Sequence, residues 1–232
     1  MKLLAIGAHP DDLEIYMFGT LAAACARGDE VHLVVATDGA GGGALPPAEL
    51  RRVRREEATA AAATLGTTPT FLDFPDGALV ADARLVDALT QVVRDSAADL
   101  VLTHAPNDYH RDHRVLSDAI RIAASFAAPI AWADTLMGTG FLPTHLVDVS
   151  SHFEAKRRAI RAHASQEPER FVAMAEQLNG FRSAQANAPA GFAEAYRFEP
   201  SYPFVDIRDL LPPPPKVRPV TDRRRGTPPV GG

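Results

Sequence analysis

Two short clusters of histidine and aspartate contain the side chains that could do chemistry in this chain. The first is the HPDD run at residues 9–12, and the second is the HRDH run at residues 110–113. Both clusters pair imidazole with carboxylate, and divalent metals accept both as ligands. Because Cys25 is the single cysteine, a multi-thiolate zinc module and an internal disulfide framework are excluded. Any metal site must therefore be built from histidine and aspartate.

The spacing of the first cluster suits one metal ion. His9 and Asp12 stand three residues apart at a predicted strand-to-helix turn, so both side chains can point to the same side. A histidine of the second cluster would complete a set of two imidazoles and one carboxylate, with a coordination position left open for water. Asp11 would then be free as general base, and the remaining histidine could protonate a leaving group or stabilise an oxyanion. These residue types fit metal-assisted hydrolysis of a carbonyl compound.

Each cluster also has an ordinary explanation when it is taken alone. Proline at the first position of a helix, followed by acidic residues, is common at helix starts. In the second cluster, Asp112 could be an N-cap and both histidines could lie on the surface. A common site is favoured because the two clusters together supply three histidines and three aspartates after two strands.

Short apolar runs alternate with helical stretches over most of the chain, and this alternation predicts where the clusters lie. The predicted strands are 3–8, 31–37, 71–74 and 100–104, with 130–134 and 146–149 as further candidates, and the predicted helices are 13–27, 48–65, 82–96, 113–127, 154–163 and 169–178. Repeated βαβ units predict an α/β fold with a Rossmann-like, doubly wound, mostly parallel sheet in a single domain. Ligands of such sheets bind beyond the carboxyl ends of the strands, where the strand order reverses. The clusters follow the first and fourth strands, so we expect them to converge there.

Composition and charge limit the classes of protein to consider. The 232 residues are 46% hydrophobic and 23% charged, with a formal net charge of −5, which is typical of a globular protein and argues against a general nucleic-acid binder. No apolar run approaches the roughly 20 residues of a membrane-spanning helix. The apolar stretch at 3–8 is too short for a secretory signal, so a cytoplasmic location is expected.

The last part of the chain has a different composition from the rest. Residues 212–232 contain five basic residues, one acidic residue and many prolines. Such a composition predicts an extended or disordered tail. We therefore expect one folded domain over residues 1–211, followed by a Pro/Arg-rich tail.

The first cluster and its neighbours resemble the signature of a known family. The run AHPDDLE at residues 8–14 is similar to the A-H-P-D-D-x-E motif of the PIG-L/LmbE-like N-deacetylases, which include de-N-acetylases of N-acetylglucosaminyl-phosphatidylinositol and of mycothiol and bacillithiol precursors. Other motifs similar to those of the family are TDG at 37–39, RxxE at 54–57, HxDH at 110–113 and AEAYR at 193–197. Arg111 stands where the family usually has proline.

The resemblance implies the same fold and a role for each histidine and aspartate of the two clusters. The implied roles are zinc ligand for His9, Asp12 and His113, general base for Asp11, acid or oxyanion partner for His110, and orientation of a ligand histidine for Asp112. Zn²⁺ is the implied metal, with Fe²⁺ or another divalent metal as the alternative.

Three further residues are candidates for contact with a sugar hydroxyl or a substrate phosphate: Asp76, Arg54 and His163. Each has a structural alternative. Arg54 could lie on a solvated helix face, Asp76 could shape its turn, and His163 could interact with a helix dipole.

Together, the residues and the resemblance predict a zinc-dependent hydrolase that removes the N-acetyl group from an N-acetylglucosamine-type amino sugar or glycoside. An amidase acting on a thiol–sugar conjugate or another amide is the nearest alternative. Two alternatives from other classes are a non-haem Fe(II) enzyme, since two histidines and one carboxylate also describe that site, and a non-catalytic sugar-binding protein. The expected partner is a small N-acetylated sugar, without nucleic acid or a membrane span, and the resemblance is compatible with a homo-oligomer.

Overall fold

The strands of the protein lie side by side in one twisted layer. The structure is a computed structural model, and it describes residues 1–188 and 190–216. Within those residues one sheet contains β1 (Lys2–Gly7), β2 (Glu30–Thr37), β3 (Thr70–Phe74), β4 (Leu100–His104), β5 (Ile130–Ala133), β6 (His145–Asp148) and β7 (Ala193–Phe198). The order is β3-β2-β1-β4-β5-β7-β6; β7 pairs antiparallel with β5 and β6, and the other pairs are parallel. This confirms the predicted α/β class and its mostly parallel, doubly wound sheet.

Helices cover both faces of this sheet. They are α1 (Asp12–Tyr16), α2 (Phe18–Arg27), α3 (Pro47–Ala63), α4 (Ala83–Ser96), α5 (Arg111–Ala123), α6 (Phe153–Arg161) and α7 (Pro168–Gln185). Alternate residues of β1 enter two separate cores, because successive side chains of a strand point to opposite faces. Leu3 packs in the core that also contains residues of α1, α2, α6 and α7, whereas Leu4 packs in the core of α4 and α5. Burial on both faces explains why the central strands are continuous apolar runs.

The helix predicted over 13–27 is interrupted in the structure. It divides into α1 and α2 at Met17, whose φ of −132° and ψ of −8° are not helical. The second helix begins there because a distant carboxylate accepts its first free amides: Glu194 accepts hydrogen bonds from the backbone amides of Gly19 and Thr20 at 2.9 and 2.8 Å. A partner that lies so far along the chain leaves no signal in the local sequence.

Strand β7 is absent from the sequence-based prediction. Its sequence AEAYRF interrupts the apolar residues with Glu194 and Arg197, which hides the strand from a hydrophobicity pattern. Helix α7 also runs seven residues beyond the predicted end at Leu178, to Gln185. Both differences lie near the carboxyl end of the described chain.

The start of the predicted tail lies against the domain. The carbonyl of Pro213 accepts a hydrogen bond from the amide of Asp148 at 2.9 Å, and Pro212 is buried. The remaining residues of the predicted tail, 217–232, lie outside the described residues. The division of the chain after residue 211 therefore stays a prediction.

The sheet order positions the two histidine–aspartate clusters at one edge. β1 and β4 are parallel neighbours, with Leu3 opposite Leu100 and Ile6 opposite Thr103. Their carboxyl ends therefore lie side by side, and the segments that follow them meet, as the strand order predicts. Among the helices of the described residues, none has the length and apolar character needed to cross a membrane.

Candidate metal centre and catalytic pocket

Three side chains from the two clusters bring one ligand atom each to a common point. His9 Nδ1 lies 3.3 Å from Asp12 Oδ2, and His113 Nε2 lies 3.3 Å from each of those two atoms. A tetrahedral metal with ligands at roughly 2.0–2.1 Å requires ligand atoms about 3.3–3.4 Å apart. The side chains of His9, Asp12 and His113 can therefore hold a small divalent cation without rearrangement of the triangle.

The orientation of both histidine rings suits metal binding. The second nitrogen of His9, Nε2, lies 3.4 Å from Asp112 Oδ2 and 3.2 Å from Asp76 Oδ1. The second nitrogen of His113, Nδ1, lies 3.2 Å from Asp108 Oδ1. A carboxylate beside the outer nitrogen favours a proton there, which leaves the inner nitrogen with a free lone pair for a metal. Asp112 lies within reach of the outer nitrogen of His9, and its orienting role stays a prediction.

Other groupings of these side chains also bring ligand atoms within 4.8 Å of one another, including His104 with Asp12 and His113, and His110 with His9 and His113. His104 is the weaker candidate. It is fully buried, and its Nε2 already accepts the amide of Ala8 at 3.1 Å. The triangle of His9, Asp12 and His113 instead lines an open pocket.

The charge of Asp12 dominates the electrostatics of the triangle. Burial acts to lower the pKa of His113, but attraction to Asp12 and Asp108 outweighs it and raises this pKa to about 9. Burial likewise opposes the charged form of His9, yet Asp12 raises its pKa well above the usual value. The pKa of Asp12 is in turn lowered well below its usual range by its three histidine neighbours, despite its burial. Asp12 therefore favours positive charge on His9 and His113, and a divalent cation that replaces their protons would meet the same attraction.

Asp11 lies beside the triangle in an unusual backbone conformation. Its φ of 129° is positive, a region that costs a non-glycine residue about 1–3 kcal/mol and often marks functional sites. Burial raises the pKa of its carboxyl to about 6, against the opposing charge of Arg54. Its Oδ1 lies 3.3 Å from Arg54 Nη2. A pocket carboxylate with a pKa near neutrality is suited to accept and return a proton.

His110 borders the same pocket from the start of α5. It is the N-cap of that helix, and its Nδ1 accepts a hydrogen bond from the amide of Asp112 at 3.2 Å. The ring therefore carries its proton on Nε2. Burial and the nearby His9 and His113 lower the pKa of His110. Its ring centroid lies 4.6 Å from that of His9, close to the triangle.

The pocket itself has a volume of about 180 Å³. Its lining contains all five of the predicted ligands and catalytic residues, together with Arg54 and Asp76. The remaining wall is formed by Ile15, Tyr16, Gly42, Tyr109, Gln166 and Phe171. The lining thus combines convergent polar groups with aromatic and apolar side chains, which is common in sites for small molecules.

The three predicted substrate contacts differ in position. Arg54 is buried, which excludes the alternative of a solvated helix face. Its Nη1 and Nη2 donate hydrogen bonds to the carbonyls of Gly39 and Pro10 at 3.1 and 2.8 Å, whereas its buried Nε has no hydrogen-bond partner among the described residues. Asp76 accepts the amide of Gly41 at 3.0 Å and lies beside His9.

His163 is the exception among the predicted site residues. Its side chain is only 2% exposed, it does not line the pocket, and its Nε2 lies 3.2 Å from Glu14 Oε2. A direct contact between His163 and substrate stays a prediction, and the buried position of His163 outside the pocket lining does not favour it. Burial raises the pKa of Asp11 to about 6, and the charge of His163 acts in the opposite direction.

The sequence-based reasoning missed two residues beside the triangle. His104 stacks on His113 with ring centroids 3.7 Å apart, and Asp108 lies beside the outer nitrogen of His113. His104 is the last residue of β4, and Asp108 belongs to the following loop. Both residues lie at or just after the carboxyl end of β4, where ligands of such sheets bind. This position in the sequence could have identified them as candidates.

The fold and the site together define a class: an α/β protein with a doubly wound sheet and a histidine–aspartate centre at the carboxyl ends of β1 and β4. Comparison with known proteins agrees with that class. The family model described as PIG-L: GlcNAc-PI de-N-acetylase matches residues 4–124. The chain belongs to this LmbE-like family of de-N-acetylases.

Individual relatives of the chain include two kinds of enzyme. A diacetylchitobiose deacetylase of Thermococcus kodakarensis is 33% identical over 189 residues, covering 72% of this chain and 71% of that protein. A 4-oxalmesaconate hydratase of Pseudomonas putida is 28% identical over 190 residues, covering 71% and 73%. Among solved structures, the N,N'-diacetylchitobiose deacetylase from Pyrococcus horikoshii matches with a TM-score of 0.76 at 26% identity, covering 90% of this chain and 88% of that chain.

Proposed function

We propose that this protein is a zinc-dependent hydrolase that removes the N-acetyl group from an N-acetylglucosamine-type amino sugar or glycoside. The observation that carries this proposal is the triangle of His9 Nδ1, Asp12 Oδ2 and His113 Nε2, with 3.3 Å between each pair of atoms and Asp11 beside it. Membership of a de-N-acetylase family and similarity to a diacetylchitobiose deacetylase support the substrate class.

The proposed zinc ligands are His9, Asp12 and His113. Two imidazoles and one carboxylate form a borderline donor set that suits zinc, and the pocket leaves room for a further ligand. When bound, zinc would supply Lewis-acid chemistry: it lowers the pKa of water to about 7 and polarises a carbonyl group. Asp112 and Asp108 hold the two rings in the orientation that this binding requires.

In the proposed reaction, the protein's own residues move the protons. Asp11 accepts a proton from the attacking water, whose oxygen bonds to the acetamide carbon. His110, with its proton on Nε2, donates a hydrogen bond to the carbonyl oxygen and stabilises the negative charge that develops there. Asp11 then returns the proton that it accepted to the departing nitrogen. The C–N bond breaks, and acetate and the free amine are the products.

The proposal is tested by measuring amine release with the metal removed and with the metal restored. The purified protein is stripped with a chelator, reloaded with one equivalent of zinc, and assayed with methyl N-acetylglucosaminide, N,N'-diacetylchitobiose and N-acetylated thiol–sugar conjugates. We expect amine release that the chelator abolishes and zinc restores.

Several outcomes would replace the proposal by one of its alternatives. Release from thiol–sugar conjugates alone indicates the amidase, whereas consumption of dioxygen with Fe²⁺ indicates the non-haem iron enzyme. Binding of sugars without turnover indicates a binding protein. Hydration of 4-oxalmesaconate without release of amine would place the chain with its hydratase relative instead.

A further inference from the structure

The turn between β3 and α4 contains one of the carboxylates that line the catalytic pocket. Asp76 belongs to this turn, and its side chain forms part of the pocket wall. Asp76 Oδ1 is 3.2 Å from His9 Nε2, and Asp76 Oδ2 accepts a hydrogen bond from the amide of Gly41 at 3.0 Å. The surroundings of the outer nitrogen of His9, a proposed zinc ligand, therefore depend on where this turn holds its carboxylate.

Two consecutive residues at the start of α5 bind the next residue of that turn. Asp112 Oδ2 accepts a hydrogen bond from the amide of Gly77 at 2.7 Å, and Arg111 Nη1 donates one to the carbonyl of Gly77 at 3.4 Å. The amide and the carbonyl of one residue are thus both bound to the same helix. These contacts matter at Gly77, because glycine has the largest backbone freedom and its φ of 77° lies in the left-handed region.

Arg111 is the residue of the HRDH run to which the reaction described above gives no role. It stands where the family usually has proline, and its side chain is exposed. Proline would suit this position, because it is the first residue of α5 and the preceding His110 has an extended backbone with φ of −78° and ψ of 134°. Arginine lacks the fixed φ of proline, but it has a donor that reaches Gly77.

The same helix binds the loop after β4 in a similar way. Arg114 Nη1 donates hydrogen bonds to the carbonyls of Asp108 and Tyr109 at 2.9 and 2.7 Å. One arginine of α5 therefore holds the loop that contains Asp108, and the other, Arg111, holds the turn that contains Asp76. Because the Arg111 bond is the longest of the three, its removal should have a modest effect.

We infer that Arg111 is a positioning residue that acts through Asp76. By holding Gly77 together with Asp112, it keeps the neighbouring carboxylate in the pocket wall and against the outer nitrogen of His9. The effect of Arg111 on turnover rests on the proposed function, whereas its effect on the turn and on the affinity for zinc does not. In this role Arg111 does not touch the substrate.

The variant Arg111→Pro removes the donor and keeps the start of α5, so its free energy of unfolding should not fall. We nevertheless expect faster exchange of the Gly77 amide hydrogen, measured by NMR. The zinc dissociation constant, measured by competition with a chelator, should rise about threefold, less than the roughly 10- to 100-fold typical of a direct partner of a ligand. The kcat/KM for methyl N-acetylglucosaminide should fall about three- to fivefold. Arg111→Lys, which keeps a charged donor, should restore part of each change.

A double-variant cycle tests whether Arg111 acts through Asp76. If it does, Arg111→Pro should change the zinc dissociation constant and kcat/KM by less than about 1.5-fold when it is added to Asp76→Asn. Arg121→Ala is the matched control, because Arg121 is an exposed arginine of the same helix that pairs with Glu199 at 3.1 Å and does not line the pocket. Its values should equal those of the unchanged protein.

The possible failures can be told apart. Unchanged Gly77 exchange, zinc affinity and kcat/KM in Arg111→Pro would overturn the inference and leave the proposed function intact. An undiminished effect of Arg111→Pro in the Asp76→Asn background would also overturn it, because Arg111 would then act through another group. Absence of amine release from the unchanged protein would overturn the proposed function, and Gly77 exchange and zinc affinity would then decide the role of Arg111.

Discussion

The carboxylates of Asp12 and Glu194 are both buried, but their surroundings differ. Glu194 accepts hydrogen bonds from Lys156 Nζ at 2.6 Å, from two backbone amides of α2, and from the Tyr196 hydroxyl at 3.3 Å. Asp12 instead faces the nitrogens of three histidines at 3.1–3.3 Å. The partners of Glu194 form a closed cluster inside the protein, whereas the partners of Asp12 form an open cluster that lines the pocket.

This difference separates a structural ion pair from a candidate metal site. Every oxygen of Glu194 has donors that belong to the fold, and Lys156 balances its charge, so the cluster needs nothing from outside. At Asp12 the facing groups are imidazoles, which can exchange a proton for a metal ion. Substitutions in the two clusters should therefore have opposite consequences for stability and activity.

The largest effect is expected from removal of a proposed ligand. His113→Ala should reduce the zinc content from about one ion per chain to nearly none and lower kcat/KM at least about 1,000-fold, because Lewis-acid stabilisation contributes several kcal/mol. Metal analysis and the amine-release assay measure the two effects. His32→Ala, a substitution of a histidine on β2 away from the pocket, should retain both metal and activity. Full metal content in His113→Ala would contradict the ligand assignment.

Substitution of Asp11 should separate catalysis from metal binding. In Asp11→Asn the side chain keeps its shape but can no longer accept a proton, so kcat should fall about 100- to 10,000-fold. The zinc content should remain that of the unchanged protein, as measured on the same samples. Undiminished activity would show that another group acts as the base.

Substitution in the closed cluster around Glu194 should change the stability of the fold. Lys156→Met leaves the charge of Glu194 buried without a counter-charge, which should lower the free energy of unfolding by about 3–5 kcal/mol. Urea denaturation measures this change, and the folded fraction should keep its metal. The double variant Lys156→Met/Glu194→Gln should be less destabilised than the single one. If the single variant is as stable as the unchanged protein, the ion pair has no such role.

Among these substitutions, the smallest effect on activity is expected from that of Arg54, which lies beside Asp11 at the edge of the open cluster. Arg54→Lys keeps the charge beside Asp11 but loses the forked donors to Gly39 and Pro10. We expect kcat to fall about tenfold, or about 1.4 kcal/mol, with metal content unchanged. Arg52→Lys, on the exposed side of the same helix, is the control. A rise in KM with unchanged kcat would instead support the substrate contact that the sequence suggested for Arg54.

Much of the fold could be predicted because its signals are local. The apolar run of β4 and the helix predicted over 82–96 are visible in consecutive residues, and the structure has β4 at Leu100–His104 and α4 at Ala83–Ser96. The break at Met17 and the strand β7 could not be predicted in this way. Both depend on Glu194, a charged residue whose burial is explained only by Lys156 and by the amides of α2.

The candidate site shows the same distinction between local signals and contacts made in the tertiary structure. The sequence by itself determined the residue types at the ends of β1 and β4, and hence a site of histidine and aspartate without thiolates. Only the tertiary structure decided which nitrogen of each ring faces Asp12 and that Asp108 lies behind His113. It also buried His163 against Glu14, away from the pocket lining. Residue types can be read directly from the sequence. The direction of a side chain depends on packing between segments that are about a hundred residues apart.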